Sequence, residues 1–131
     1  MKGKRVAYWI CTVLVALSFL SGGVVDAVRL PAALEGMTHL GYPSYFMVIL
    51  GIWKILGGAV VLLPRLPLVK EWAYAGMIFD LTGATASHVA VGDDIGHIVT
   101  PLVISALVVA SWALRPPDRT LRPGMRPITS T

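Results

Sequence analysis

Charge and cysteine are what this sequence has least of. Asp, Glu, Lys and Arg together make up 14% of its 131 residues, against about 25% in an average soluble domain. A chain so short of polar groups cannot cover a globule in water. Its 56% hydrophobic content points instead to one small integral membrane domain. The one cysteine, Cys11, excludes an intrachain disulfide, and no Cys/His spacing suggests a zinc site, so no metal is expected. Signatures of self-contained chemistry are missing too: GxSxG, a Walker loop, CxxC, CxxCH and HExxH. The net charge of +4 does not imply nucleic acid, because the basic residues lie at the chain ends and in one loop, with apolar segments between them.

What is present is a set of long apolar runs. A membrane span needs about 20 mostly apolar residues, and four segments qualify: 6–27, 44–63, 72–90 and 96–114. Each is bounded by stop signals: Arg29 and Pro31, then Pro64, Arg65 and Pro67, then Gly92-Asp93-Asp94, then Arg115-Pro116-Pro117. The connections after the second and third runs are short, so neighbouring helices must be antiparallel. The expected fold over residues 1–115 is therefore all-α, an integral membrane four-helix bundle with up-down-up-down topology. Lys2, Lys4, Arg5, Arg65, Lys70, Arg115, Arg119, Arg122 and Arg126 fall on one side of it, and Arg29 alone on the other. Both termini are expected in the cytoplasm.

The aromatic residues agree with that orientation. Tyr8, Trp9, Trp72, Tyr74 and Trp112 fall near the cytoplasmic boundary, and Tyr42 and Tyr45 near the outer one. The start MKGKR followed by an apolar run has the outline of a secretory leader. That run exceeds the usual leader core of about 7–15 residues, and Asp26 is atypical in a cleavage motif, so the segment reads as a retained span. Residues 116–131 carry Pro, Arg and Thr with few apolar groups and are expected to form a disordered, basic cytoplasmic tail.

Lys54, Asp80 and His88 lie inside these spans, and Asp26 at the outer end of the first. A central Lys or Asp costs about 2.5–3.5 kcal/mol on insertion scales, so compensation is required. Lys54 and Asp80 fall at similar depth on antiparallel neighbours, which predicts a buried Lys54–Asp80 ion pair. Gly51, Lys54 and Gly58 share one helical face, and Gly76, Asp80, Gly83, Ala84, Ser87 and His88 another. Asp26, His97, Glu35 and His39 are expected near the level of His88, forming an outward-facing polar pocket. Imidazoles beside carboxylates can shuttle protons or bind a divalent metal. Asp93 and Asp94 read as solvated turn residues, and His88 with His97 is a weak haem signal.

Three stretches carry a family resemblance: HLGYPSYF at 39–46, LGIWKILGGAVVLLPRLPLVKEWAYAG at 50–76 and FDLTGATASHVAVGD at 79–93. Together they resemble the DoxX-like family of small four-span bacterial membrane proteins, over about Tyr8 to Pro116. The resemblance implies an inner (plasma) membrane protein, with the lipid bilayer, other membrane redox subunits or a second copy as partners. It also implies a link to thiosulfate:quinone oxidoreductase systems, with quinone as cofactor. The matching polar positions are Asp26, His39, Lys54, Glu71, Asp80, Ser87, His88 and Asp93; the resemblance gives none of them a catalytic role.

Three functions fit these residues. One is an accessory subunit of a quinone-linked redox system, with Lys54, Asp80 and His88 lining a pocket for a quinone headgroup or a thiosulfate-like anion. Another is a small proton-coupled carrier, and the third a structural or stress-related membrane protein whose buried charges only specify packing.

Overall fold

The computed structural model describes residues 2–120, and among these every regular element is helical. The elements are α1 (Lys2–Ala27), α2 (Pro31–Leu40), α3 (Ser44–Leu62), α4 (Pro67–Ala90) and α5 (Ile95–Ala113), followed by one 3-10 turn, Pro117–Arg119. The expected runs at 6–27, 44–63, 72–90 and 96–114 correspond to α1, α3, α4 and α5. Of the described helices, α1, α3 and α5 are long and apolar enough to cross a membrane. Helix α4 matches them in length but carries Lys70, Glu71, Asp80 and His88.

Prolines and glycines set the boundaries. Leu30 is extended (φ −57°, ψ 140°), as a residue before proline prefers, and Pro31 opens α2 at a position whose N–H no helix would use. Gly41 closes α2 in the left-handed conformation at φ 89°. Its N–H bonds the Thr38 carbonyl at 3.0 Å and that of Tyr42 bonds Met37 at 3.0 Å, a Schellman closure. Leu63 is again extended before Pro64, and Pro67 opens α4. Asp94 caps α5 through its side chain and the His97 amide.

Helix α1 packs on α3 and α5, and α4 packs on the same two, so α1 and α4 face each other across the assembly. The shared core is Val15, Ala16 and Phe19 of α1, Val61 of α3, Tyr74, Met77 and Leu81 of α4, and Val108 of α5. Buried among them, the Ser111 hydroxyl meets Thr12 at 2.6 Å and Tyr74 at 2.8 Å. Ile10, Leu17, Trp53, Leu56, Phe79 and Val103 point outward and are exposed. A water-soluble monomer does not expose apolar surface on this scale; a helix assembly bathed in lipid does.

Lipid supplies no hydrophobic drive between helices, so close backbone approach and van der Waals packing must. The approach is closest between α1 and α3. A Cβ on Gly51 would fall 2.5 Å from the Ala27 nitrogen and 2.6 Å from the Gly23 carbonyl oxygen. This is the small-residue face expected around Lys54, and the helix it admits is α1. The similar stripe on α4 is not a packing seam, since Cβ atoms on Gly76 or Gly83 would meet nothing within 4 Å.

The end holding the N-terminus is closed by two cations. The last carbonyls of a helix lack partners and carry its negative dipole end. Here Lys70, fully buried, donates to Val60 at 2.7 Å and to Leu63. Arg119 donates to Leu62 and Leu63 at 2.8 Å each and to the Tyr8 hydroxyl at 2.8 Å. Its guanidinium also lies 4.9 Å from the Trp9 ring centroid. A short turn after α5 thus places Arg119 on the carbonyls at the end of α3 that lack helical partners. Residues 121–131, with Arg122 and Arg126, lie outside the described residues.

These contacts predict opposite outcomes for two glycine substitutions. Gly51→Ala should lower stability in detergent by about 1–3 kcal/mol, because its new methyl meets backbone that cannot move aside. Gly83→Ala should leave stability unchanged or raise it by up to about 1 kcal/mol. Thermal unfolding of both variants checks this, and equal losses would contradict the packing.

Candidate functional site

The glycine contact between α1 and α3 also aligns two charges. Lys54 stands one turn after Gly51 on α3, and Asp26 one turn after Gly23 on α1. Because Ala27 is level with Gly51, α1 stops about two turns short of the start of α3, so Asp26 lies well below that helix end. The lysine side chain runs past Gly22, where a Cβ would sit 3.9 Å from the ammonium. It donates to Asp26 Oδ2 at 2.9 Å.

The expected partner of Lys54 was Asp80, and the structure gives it Asp26 instead. Equal depth on neighbouring helices does not decide which helix comes close, and the glycine seam brings in α1. Asp80 is half-buried on α4, within electrostatic reach of both Lys54 and Asp26, and makes no hydrogen bond among the described residues. An ammonium has three donors, and among the described residues Lys54 uses one. Its side chain is 24% exposed, so this is an open ion pair with spare donors and a carboxylate beside it.

A second polar group lies at the opposite end from the N-terminus. The sequence Ser87-His88-Val89-Ala90-Val91-Gly92-Asp93 ends α4 in a Schellman turn: Gly92 is left-handed at φ 75°, and the Asp93 amide bonds the His88 carbonyl at 3.0 Å. This turn folds Asp93 back over His88, whose Nδ1 lies 2.6 Å from Asp93 Oδ2. The other oxygen, Oδ1, takes His39 Nε2 of α2 at 2.6 Å. Ser87 donates to the Gly83 carbonyl at 2.8 Å, which leaves its oxygen to accept from the Tyr42 hydroxyl at 2.6 Å.

Expected members of the outer group divide accordingly. His39, Ser87 and His88 are gathered there. His97 sets its ring at a tilt, 5.4 Å from that of His88 between centroids, and bonds the exposed Asp94 at 2.7 Å. Asp26 is held lower down by Lys54, and Glu35 is exposed on α2. Asp94 is a solvated turn residue as expected, but Asp93, with 15% of its side chain exposed, bridges two imidazoles. The hydrogen bonds from His88 and then His39 hold the Asp93 carboxyl below the usual carboxylate range. Among the described residues no group of His, Cys, Asp and Glu has the geometry to hold a metal ion.

A family profile described as the DoxX-like family matches residues 10–111, most of the chain, and the chain belongs to that family. No curated protein and no solved structure matches it. The matched stretch contains Asp26, Lys54, Asp80, His88 and Asp93, whereas Tyr8, Arg115 and Arg119 fall outside it.

The bridge sets a pH dependence. Because Asp93 titrates lower when folded than when free, its contribution is complete above the ordinary carboxylate range and is lost as pH falls through the lowered value. Neutral imidazoles suffice as donors, so the bridge should persist unchanged through neutral and mildly acidic pH. Nitroxides at positions 36 and 91 of a Cys11→Ser variant should show a constant, narrow distance until that acid step, and a broad one at every pH in Asp93→Ala. A transition centred near the ordinary histidine value would contradict this account.

Proposed function

We propose that this member of the DoxX-like family crosses the inner (plasma) membrane four times, both termini cytoplasmic, as an antiparallel four-helix bundle. In this reading it binds a quinone headgroup at Lys54 as an accessory subunit of a quinone-linked redox system of the thiosulfate:quinone oxidoreductase kind. Counting α4 as a span is supported by its packing along both α3 and α5. Three of its four ionisable groups are also engaged: Lys70 on the α3 carbonyls, Glu71 with Trp112 and Arg115, and His88 with Asp93. The concentration of Lys and Arg at the N-terminal end supports the orientation.

The observation that carries the ligand reading is the half-open Asp26–Lys54 pair with two unused N–H donors. A lysine kept only to fix helix register would be expected to use its donors within the protein. The donor set fits a quinone carbonyl oxygen. A bound quinone supplies two-electron redox chemistry; the residues here would bind and orient its headgroup. Asp80, a carboxylate without a hydrogen-bond partner among the described residues, favours a second reading, a proton-coupled carrier. Proteoliposome flux abolished by Asp80→Asn would decide for that one.

The test is extraction. Protein purified from native membranes in mild detergent should release a quinone on solvent extraction, identified by mass spectrometry. Lys54→Met should retain about tenfold less or lower still, the factor for one charge-assisted hydrogen bond. A wild-type extract without quinone overturns the reading.

A further inference from the structure

Helix α1 packs its inner side on α3 and α5, and its outer side carries a feature that neither the ion pair nor the histidine cluster uses. Arg5, Val6, Trp9, Ile10, Val13 and Leu14 line a shallow groove of about 640 Å³ there. These positions recur at helical spacing, so the groove runs along the helix axis. From Arg5 to Leu14 the rise is about 14 Å, the depth of one leaflet in a hydrocarbon core about 30 Å thick. Only the end nearest the N-terminus is polar.

That end is cationic and unmatched. The start of α1 holds Lys2, Lys4 and Arg5, with no acid in its first turn. All three are exposed, and none forms an ion pair among the described residues. Lys2 stands one turn before Arg5 and Val6, on the groove side. Trp9 makes a fixed wall: the Arg119 guanidinium lies 4.9 Å from its ring centroid, and the Tyr8 ring meets it edge-on at 5.0 Å. The remaining lining, Val6, Ile10, Val13 and Leu14, is branched, bulky and exposed. Helices that associate in lipid approach over Gly, Ala and Ser. This lining has none of them, so its form suits a flexible acyl chain and not a second helix.

We propose that the groove is a binding site for an anionic phospholipid, with the headgroup phosphate on Arg5 and Lys2 and one acyl chain along Trp9, Ile10, Val13 and Leu14. Charge favours the acidic lipid over a zwitterionic one. Each unpaired cation at the surface raises the occupancy of a net negative lipid about fivefold, whereas the apolar contacts are the same for both lipids. The guanidinium fork matches a phosphate bidentately, and Trp9 beside it lies at the depth where such rings anchor spans. The site rests on α1 crossing a bilayer, as in the reading above, and is independent of quinone.

Trp9 itself is the reporter. In a full-length Trp53→Phe, Trp72→Phe, Trp112→Phe variant, its fluorescence is quenched by lipids brominated on their acyl chains. The vesicles mix phosphatidylglycerol and phosphatidylcholine, with bromine on one lipid at a time. Quenching should report a preference of about fivefold or more for phosphatidylglycerol, and Arg5→Gln should cut that preference about fivefold. Trp72, exposed in the first turns of α4 and kept as the sole tryptophan of a second variant, should show a preference near one. Equal preferences at Trp9 and Trp72, or a preference at Trp9 that Arg5→Gln leaves unchanged, overturn the site while α1 remains a span. Quenching of Trp9 by neither lipid takes α1 out of the bilayer, and the four-span reading falls with the site. Should the triple variant fail to fold, native mass spectrometry of the wild-type chain with both lipids serves instead. One phosphatidylglycerol should be retained in preference to phosphatidylcholine, and the same preference in Arg5→Gln overturns the proposal.

Discussion

The ammonium of Lys54 lies 2.9 Å from Asp26 at the place where α1 and α3 come into backbone contact. Either charge alone at membrane depth costs about 2.5–3.5 kcal/mol, so each helix depends on the other for its insertion. The pairing also dictates geometry. Gly23 and Gly51 must lack side chains for the helices to meet. Helix α1 ends at Ala27, level with Gly51 and below the start of α3. Helix α2 then links the end of α1 to the start of α3 and contacts both. A buried pair of this kind adds little net stability after desolvation; its effect is to choose which helices touch and at what level.

The two ends of the molecule solve different problems with similar chemistry. At the N-terminal end, Lys70 and Arg119 satisfy the last carbonyls of α3, a cation-on-dipole arrangement fixed by burial and aromatic contact. At the other end a carboxylate is shared by two imidazoles, one in the last turn of α4 and one in the last turn of α2. The first arrangement is buried; the second is partly exposed, His39 most of all. The Ser111 hydroxyl, bonded to Thr12 and Tyr74, joins α1, α4 and α5 between them. It gives the core a polar joint that, in lipid, has no water to replace it.

Much of this was legible in the sequence because membrane helices announce themselves by length and apolarity. The four long helices and the proline and glycine stops needed no tertiary information. The small-residue face around Lys54 was readable from spacing, as was the place of Ser87 on the face of His88, while His39 was expected at the level of His88. The choice of Asp26 over Asp80 was not, because helix period gives a face and a depth but not the helix that approaches it. Helix α2 was hidden in a connection too short and polar for a span, although Pro31 and Gly41 bracket it. Arg119 looked like one more topogenic arginine. Its insertion depends on unpaired carbonyls at the end of α3, which no local pattern reveals. Asp93 was hidden for a related reason: a Gly-Asp turn reads as solvated until the Schellman closure turns it back on His88.

The central claim is that Asp26, and not Asp80, is the partner that holds Lys54. A double-mutant cycle on thermal stability in detergent, with Lys54→Met, Asp26→Asn and Asp80→Asn singly and in pairs, measures this most directly. The account predicts that the Lys54 and Asp26 single substitutions each destabilise and that the pair together costs clearly less than their sum, with a coupling of about 1–3 kcal/mol. It predicts a smaller coupling between Lys54 and Asp80. The larger coupling falling on Asp80, with none to Asp26, would contradict it.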